Sequence, residues 1–399
     1  MITDSVAARR NEWGSLGGGL MDNVYHRLAT RLDEFPHGFP RTASGVELRI
    51  LAKVFAPEDA AMALKLLPIP ETAQAIALRL GRQVEDLQPV LDAMVARGQI
   101  ATMRHRGEHV YMLAPFVVGI YEFQLPHMDA ELAALFEEYA PVLVNAVGGA
   151  KPALARVVPV NARIEARAEV LHHESVRAMM EGARSFRLME CICRKEQAAL
   201  GKQCSHTLET CLAFSSEPDA YERFPYGRTV SREEALTVLD LAEREGLVHC
   251  TYNIRREQMF VCNCCSCCCG FLRGVRDFGA PHLLLQSNYL AEISREGCIA
   301  CDACANGRCP MGAISERDGA YAVDSEHCIG CGACTLVCPT DAIKLVQRPR
   351  AQRTTPPRDI VTWAFRRAAN RSGLLRTLAQ FGGLAARAIG SRRNAPTEG

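Results

Sequence analysis

Cysteine is the residue with chemistry to offer in this chain. Nineteen of the 399 residues are cysteines, and all lie between Cys191 and Cys338. Two runs stand out near the end of that interval. The first reads Cys298-Ile-Ala-Cys301-Asp-Ala-Cys304-Ala-Asn-Gly-Arg-Cys309-Pro310, and the second Cys328-Ile-Gly-Cys331-Gly-Ala-Cys334-Thr-Leu-Val-Cys338-Pro339. Three thiolates two residues apart can wrap one tight loop around several soft metal ions, with a fourth thiolate leaving the loop just before a proline. Zinc sites usually show paired cysteines across a longer gap, without a third at the same step. The spacing therefore points to iron–sulfur clusters.

The runs resemble the bacterial two-cluster ferredoxins, except for one extra residue before Cys309. The resemblance implies two [4Fe–4S] clusters, one held by Cys298, Cys301, Cys304 and Cys338, the other by Cys328, Cys331, Cys334 and Cys309. The halves repeat beyond the cysteines, as Met-Gly-Ala-Ile314 and Thr-Asp-Ala-Ile343, and strand-like Tyr321-Ala-Val and Ile343-Lys-Leu-Val346 flank them. Gly330 and Gly332 are expected to let the backbone approach sulfide and donate N–H bonds to it. Every iron of such a module has its thiolate, so the implied function is one-electron transfer to or from a redox partner protein.

Eleven cysteines remain, and Cys250 stands by itself among them. The other ten fall in two segments, Cys191, Cys193, Cys204 and Cys211, then Cys262, Cys264, Cys265, Cys267, Cys268 and Cys269. The Cys-x-Cys-Arg start and the Cys-Asn-Cys-Cys-x-Cys-Cys-Cys cluster resemble a group of ferredoxin-domain proteins of unassigned role. These ten make a candidate third metal site. Cys191, Cys193, Cys204 and Cys211 supply a complete four-thiolate set, or the two segments meet and share ligands. The occupant is a third iron–sulfur cluster or zinc, the alternative being buried or redox-active thiols without metal. Arg194, Lys195, Lys202 and His206 would offset the charge.

The elements that must position these groups suggest an α+β multidomain chain. Residues 1–41 read as a leader. Residues 42–115 resemble a winged-helix domain: a capping box at Ser44–Glu47, helices around residues 46–54, 57–67, 71–81 and 84–97, then two strands about Arg106-Gly107. DNA binding through residues 84–97 is one reading, with cluster state as the control of a redox- or metal-responsive regulator. Glu85, Asp86 and Asp92 against Arg97 make that helix poor for facing phosphates, so a packing module is the other. Residues 116–270 form a helical, Cys-rich middle domain, read as connecting scaffold up to residue 185, and residues 289–347 the ferredoxin module.

Residues 348–399 form a basic tail, with eleven arginines against Asp359 and Glu398. There Trp363, Phe365, Leu374, Leu375, Leu378, Phe381, Leu384 and Ile389 could line one helical face, for an anionic membrane surface, an acidic partner or the chain's own domain. Net charge is only +1, which shows no general bias toward nucleic acid. The N-terminus lacks an apolar core of the signal-peptide kind, and no apolar run reaches the roughly 18 residues of a membrane span. A reducing, cytoplasmic setting is expected. No dinucleotide fingerprint or phosphate loop is present, so a catalytic role would rest on a further metal centre in the middle domain of an oxidoreductase subunit.

Overall fold

The computed structural model describes residues 18–160, 171–280 and 282–393. Residues 1–17 of the expected leader lie outside them. Five helices open the described chain: α1 (Gly18–Asp33), α2 (Val46–Val54), α3 (Pro57–Ala63), α4 (Ala73–Leu80) and α5 (Val84–Ala96). A hairpin follows, β1 (Ala101–His105) with β2 (Glu108–Met112). Local chemistry sets several ends. Pro57 opens α3, the Thr72 hydroxyl accepts from the Ala75 N–H at 3.1 Å, and Gly81 stops α4 at φ 63°. The expected capping box at Ser44 does not form. Gly45 takes the cap position in a left-handed conformation, and buried Glu47 turns back to accept from the Thr42 N–H at 3.2 Å. Leu28, Ile50, Leu51, Phe55, Ile76, Leu87, Leu91 and Met94 share one core.

The hairpin and α5 face inward along the chain. The Arg104 N–H donates to the Ala220 carbonyl at 3.0 Å, its guanidinium lies 3.9 Å from Asp219, and the Arg106 N–H reaches Glu217 at 3.2 Å. On α5, Asp92 lies 3.8 Å from Arg223.

The middle region holds α6 (Tyr121–Phe123), α7 (Ala130–Gly148), α8 (Val176–Met179), α9 (Ile192–Ala199), α10 (Arg232–Arg244) and α11 (Gly270–Arg276). Between them run β3 (Ala155–Val158), β4 (Ser185–Glu190), β5 (Glu209–Ser215), β6 (Arg228–Val230), β7 (Val248–Tyr252), β8 (Phe260–Cys264) and β9 (Leu284–Leu285). They make one seven-stranded sheet in the order β6-β4-β5-β8-β7-β3-β9, antiparallel except for β3–β9. This corrects the reading of residues 116–270 as helical: six of the seven strands lie there. The strands escaped a two-residue period because both faces are covered. All of β3 and β7 is buried, as are the first four residues of β4. The expected helix after Ser231 is α10, with the serine hydroxyl accepting from the Glu234 N–H at 3.2 Å.

In the C-terminal module β10 (Tyr289–Ile293) pairs antiparallel with β13 (Ile343–Gln347). The hairpin of β11 (Ile314–Arg317) and β12 (Ala320–Val323) turns through Asp318 and Gly319, both at positive φ, as a tight two-residue turn requires. The module is locked to the sheet domain. Arg308 donates to the carbonyls of Glu243 and Arg244 at the end of α10, each at 2.8 Å, and to Ala333 O at 2.7 Å. The Val160 N–H donates to Cys331 O at 2.9 Å.

The tail is two helices, α12 (Ile360–Ser372) and α13 (Leu374–Arg393), broken at Gly373. Its apolar positions do not share one face. Trp363 is fully buried and donates to Ala153 O at 2.9 Å, while Arg367 donates to Ala150 O and Pro152 O at 2.6 Å each. Leu374, Leu375 and Leu378 are exposed, and Ile389 lies outside the described side chains. Among the described residues no helix is long and apolar enough to cross a membrane.

Candidate metal centres

Two groups of four cysteines sit in the module. Cys309, Cys328, Cys331 and Cys334 line one apolar pocket, walled by Ala291, Met311 and Ile314. Three of these come from the second run and one from the first, and Cys328, Cys331 and Cys334 are buried. Cys304 lies among the other set, sensing the charges of Cys298, Cys338 and Cys301. That set is outermost: Cys301 is exposed, and Cys298, Cys304 and Cys338 are half-buried. Backbone N–H groups already point at sulfur, from Ala313 to Cys309 at 3.2 Å and from Tyr321 to Cys298 at 3.5 Å. Such donors stabilise charge on a thiolate and tune what it binds. The donor set and its apolar enclosure fit [4Fe–4S] clusters.

The inner group has cationic support. Buried Arg348 donates to Ser287 O at 3.1 Å and to the Cys328 carbonyl, and the Arg308 guanidinium senses Cys331 and Cys334. Gly330 has a reason beyond the one expected. Its φ is 67°, and a Cβ there would stand 2.1 Å from Tyr289 O and 2.3 Å from the Ser287 hydroxyl. Protein backbone approaches it closely, so only glycine fits.

Burial pushes the Cys331 thiol up to about 12 and holds Cys334 and Cys309 above their ordinary range. Without metal these thiols stay protonated at neutral pH, and thiolate ligation must expel the protons. Anaerobic reconstitution in weak buffer at pH 7 should therefore acidify the solution by about one proton per ligating thiol beyond those that the added sulfide itself releases. Acidification no greater than the sulfide accounts for would mean the thiols were already ionised.

The ten middle cysteines meet, with Cys250, around the ends of β5 and β8 and the start of α9, and they divide into two groups. Side-chain interactions link Cys191, Cys193, Cys269, Cys264, Cys262 and Cys211 in a closed ring, with Cys250 attached to Cys264. Register explains part of this: β7–β8 pairing sets Cys250 opposite Cys262. Cys204 does not join Cys191, Cys193 and Cys211. It converges instead with Cys265, Cys267 and Cys268, their sulfurs all within 4.8 Å of one another. Sharing between the two segments is thus the arrangement found, rather than a set made by the first segment alone.

Three further side chains lie beside the ring, two of them from a stretch without a motif. The Tyr121 hydroxyl lies 3.9 Å from Cys193 Sγ and bonds Glu196. Burial pushes the carboxyls of Glu122 and Glu196 up to about 8 each, and the nearby Cys193 charge adds to this. The stretch 116–185, read as connecting scaffold, brings Tyr121 and Glu122 close to the thiols. Nothing in their local sequence marks them. Arg194, adjacent to Cys193, is 3% exposed and donates to Thr207 O at 2.6 Å, Thr210 Oγ1 at 2.8 Å and Asn263 O at 2.8 Å.

Residues 321–344 match the family model of the 4Fe-4S binding domain, so the chain carries such a domain near its C-terminus. Among curated proteins, the chain is 36% identical over 74 residues to one component of the ion-translocating oxidoreductase complex of Methanosarcina acetivorans, which is 18% of this chain and 28% of that one. It is 39% identical over 79 residues to a probable iron-sulfur subunit of the Frd operon of Proteus vulgaris, covering 19% and 48%. It is 46% identical over 54 residues to the electron transport protein HydN of Escherichia coli K12, covering 13% and 30%. The chain thus spans less than half the length of each of these relatives. No solved structure matches it.

Proposed function

We propose that this chain is a cytoplasmic iron–sulfur electron-transfer protein that passes single electrons to or from a redox partner protein. The observation that carries the reading is the convergence of Cys309 from the first run with Cys328, Cys331 and Cys334 from the second, the last three lying in a segment that matches a 4Fe-4S binding domain. One cluster is held by these four thiols and the other by Cys298, Cys301, Cys304 and Cys338. The clusters supply one-electron chemistry. The chain keeps one set exposed toward a partner and buries the other against the sheet domain, where Arg308 and Arg348 offset negative charge. The names of two relatives, an electron transport protein and a probable iron-sulfur subunit, support this class of function.

The six-thiol ring is the place for a third iron–sulfur centre, extending the relay inward. Iron and sulfide content after anaerobic purification, with EPR of the reduced chain, tests both proposals. About twelve irons per chain are expected. About eight would remove the ring from the electron path, and fewer than four would sink the reading as a whole.

A second reading has its own observation. Tyr121, Glu122 and Glu196 offer protons beside the ring, which suits an oxidoreductase subunit whose middle centre performs chemistry. Tyr121→Phe would then abolish turnover with the partner while leaving reduction of the module clusters unchanged. A regulator that binds DNA has less support, because the wing and α5 already contact residues 217–223. Gel-shift titration at low salt should show no retardation in either oxidation state, and salt-sensitive binding that follows cluster state would reverse this ranking.

A further inference from the structure

Four cysteines outside both the module and the six-thiol ring form a compact group. Cys265, Cys267 and Cys268 sit on the turn that leaves β8, and Cys204 reaches them from the loop after α9. Their four sulfurs all lie within 4.8 Å of one another, and Cys267 and Cys268 are 3.5 Å apart. A cubane cluster spreads its ligand sulfurs to about 6 Å. One tetrahedral ion with metal–sulfur bonds of about 2.3 Å holds them about 3.8 Å apart. The observed spacing suits the single ion. Among the described residues no other group of three or more metal-binding side chains closes in this way.

Charge around the group calls for an anion beside it. Arg194 is almost fully buried and touches Cys265, and its three hydrogen-bond partners are two carbonyls and a hydroxyl, with no carboxylate. Its Nε has no partner at all. A buried guanidinium without an anion is costly. Four thiolates around a divalent ion carry a net charge of about −2 and would supply that anion. Cys265 and Cys268 are enclosed by Ala242 and Leu247, which keeps water from competing for the ion.

We infer that Cys204, Cys265, Cys267 and Cys268 bind one zinc ion in a closed, structural tetrathiolate site. Zinc outranks ferrous iron for the same thiolate ligands, and a closed four-thiolate set leaves no position for substrate. The ion ties the loop after α9 to the turn after β8. Cys264 and Cys269, both in the six-thiol ring, adjoin Cys265 and Cys268 in sequence but are not among the four ligands. The site is independent of the electron-transfer reading, which uses none of these four residues.

The test is zinc and iron content of the full chain, compared with Cys204→Ser and Cys267→Ser. Cys204 is half-buried and Cys267 exposed, so neither substitution disturbs a packed interior. The chain should carry one zinc, lost in either variant, with iron unchanged. A second probe is the chain expressed with cobalt in place of zinc, whose thiolate-to-metal absorption should disappear in Cys267→Ser. Loss of a single iron in place of zinc would overturn the choice of ion. Loss of several irons would overturn the mononuclear site, and metal content unaffected by either variant would overturn the site itself. Iron content at or below that of the module alone, with one zinc retained, would leave this site standing while rejecting the ring centre.

Discussion

Cys309→Ala is expected to strip the inner cluster, although Cys309 belongs to the first cysteine run. Its thiol shares a pocket with Cys328, Cys331 and Cys334, and it has no place in the Cys298–Cys301–Cys304 loop. Iron content should therefore fall by up to four per chain, the same loss expected for Cys331→Ala. The EPR signal that survives should be the same in both variants, that of the outer cluster. Cys338→Ala and Cys301→Ala should form the complementary pair and spare the inner signal. The crossed assignment fails if Cys309→Ala behaves like Cys301→Ala, which would mean that each run feeds only its own cluster. Metal bound by the middle domain should be untouched in all four variants, because the ring and the tetrathiolate group share no ligand with the module.

Gly330→Ala should be nearly as damaging, without removing any ligand. Two costs add. Alanine at φ 67° is strained by about 1 kcal/mol, and its Cβ would meet Tyr289 O at 2.1 Å, which forces backbone on β10 to move. Together they should destabilise the module by roughly 3 kcal/mol or more and displace Cys328 and Cys331 from their pocket. Gly319→Ala is the control. It has a similar positive φ of 76° and nothing within 4 Å of the added methyl, so it should show only the strain, about 1 kcal/mol. Denaturant unfolding and iron content of the two variants separate these effects. Equal losses would mean that conformational strain alone explains Gly330 and that the close approach of β10 is relieved cheaply.

The sulfide contact expected at Gly330 rests on an N–H donor within the cysteine loop, whereas the crowding by Tyr289 and Ser287 has no local signature. Those residues reach the loop through the β10–β13 pairing, from far earlier in the chain. Arg308 is a similar case. It lies in the stretch between Cys304 and Cys309, one residue longer than its counterpart in the second run, and the fold uses it to hold the carbonyl end of α10. A lengthened loop that looks like a local irregularity carries a domain contact.

The sequence alone determined what the chain can bind and where the strongest binding segment lies. Within Cys298–Cys304 and Cys328–Cys334 the thiols are three residues apart, and the reach of so short a chain brings them together whatever surrounds them. The capping serine of α10 was legible for the same reason, since its partner N–H is three residues away. The tertiary structure decided everything that depends on distant partners. It brought Cys204, on the loop after α9, to Cys265, Cys267 and Cys268 rather than to Cys191, Cys193 and Cys211, and strand register set Cys250 opposite Cys262. It turned the hairpin of the winged-helix-like segment onto the middle domain, and it buried strands on both faces so that they left no two-residue period to read. Spacing along the chain encodes a loop that grips metal; only packing across the chain settles which loops meet.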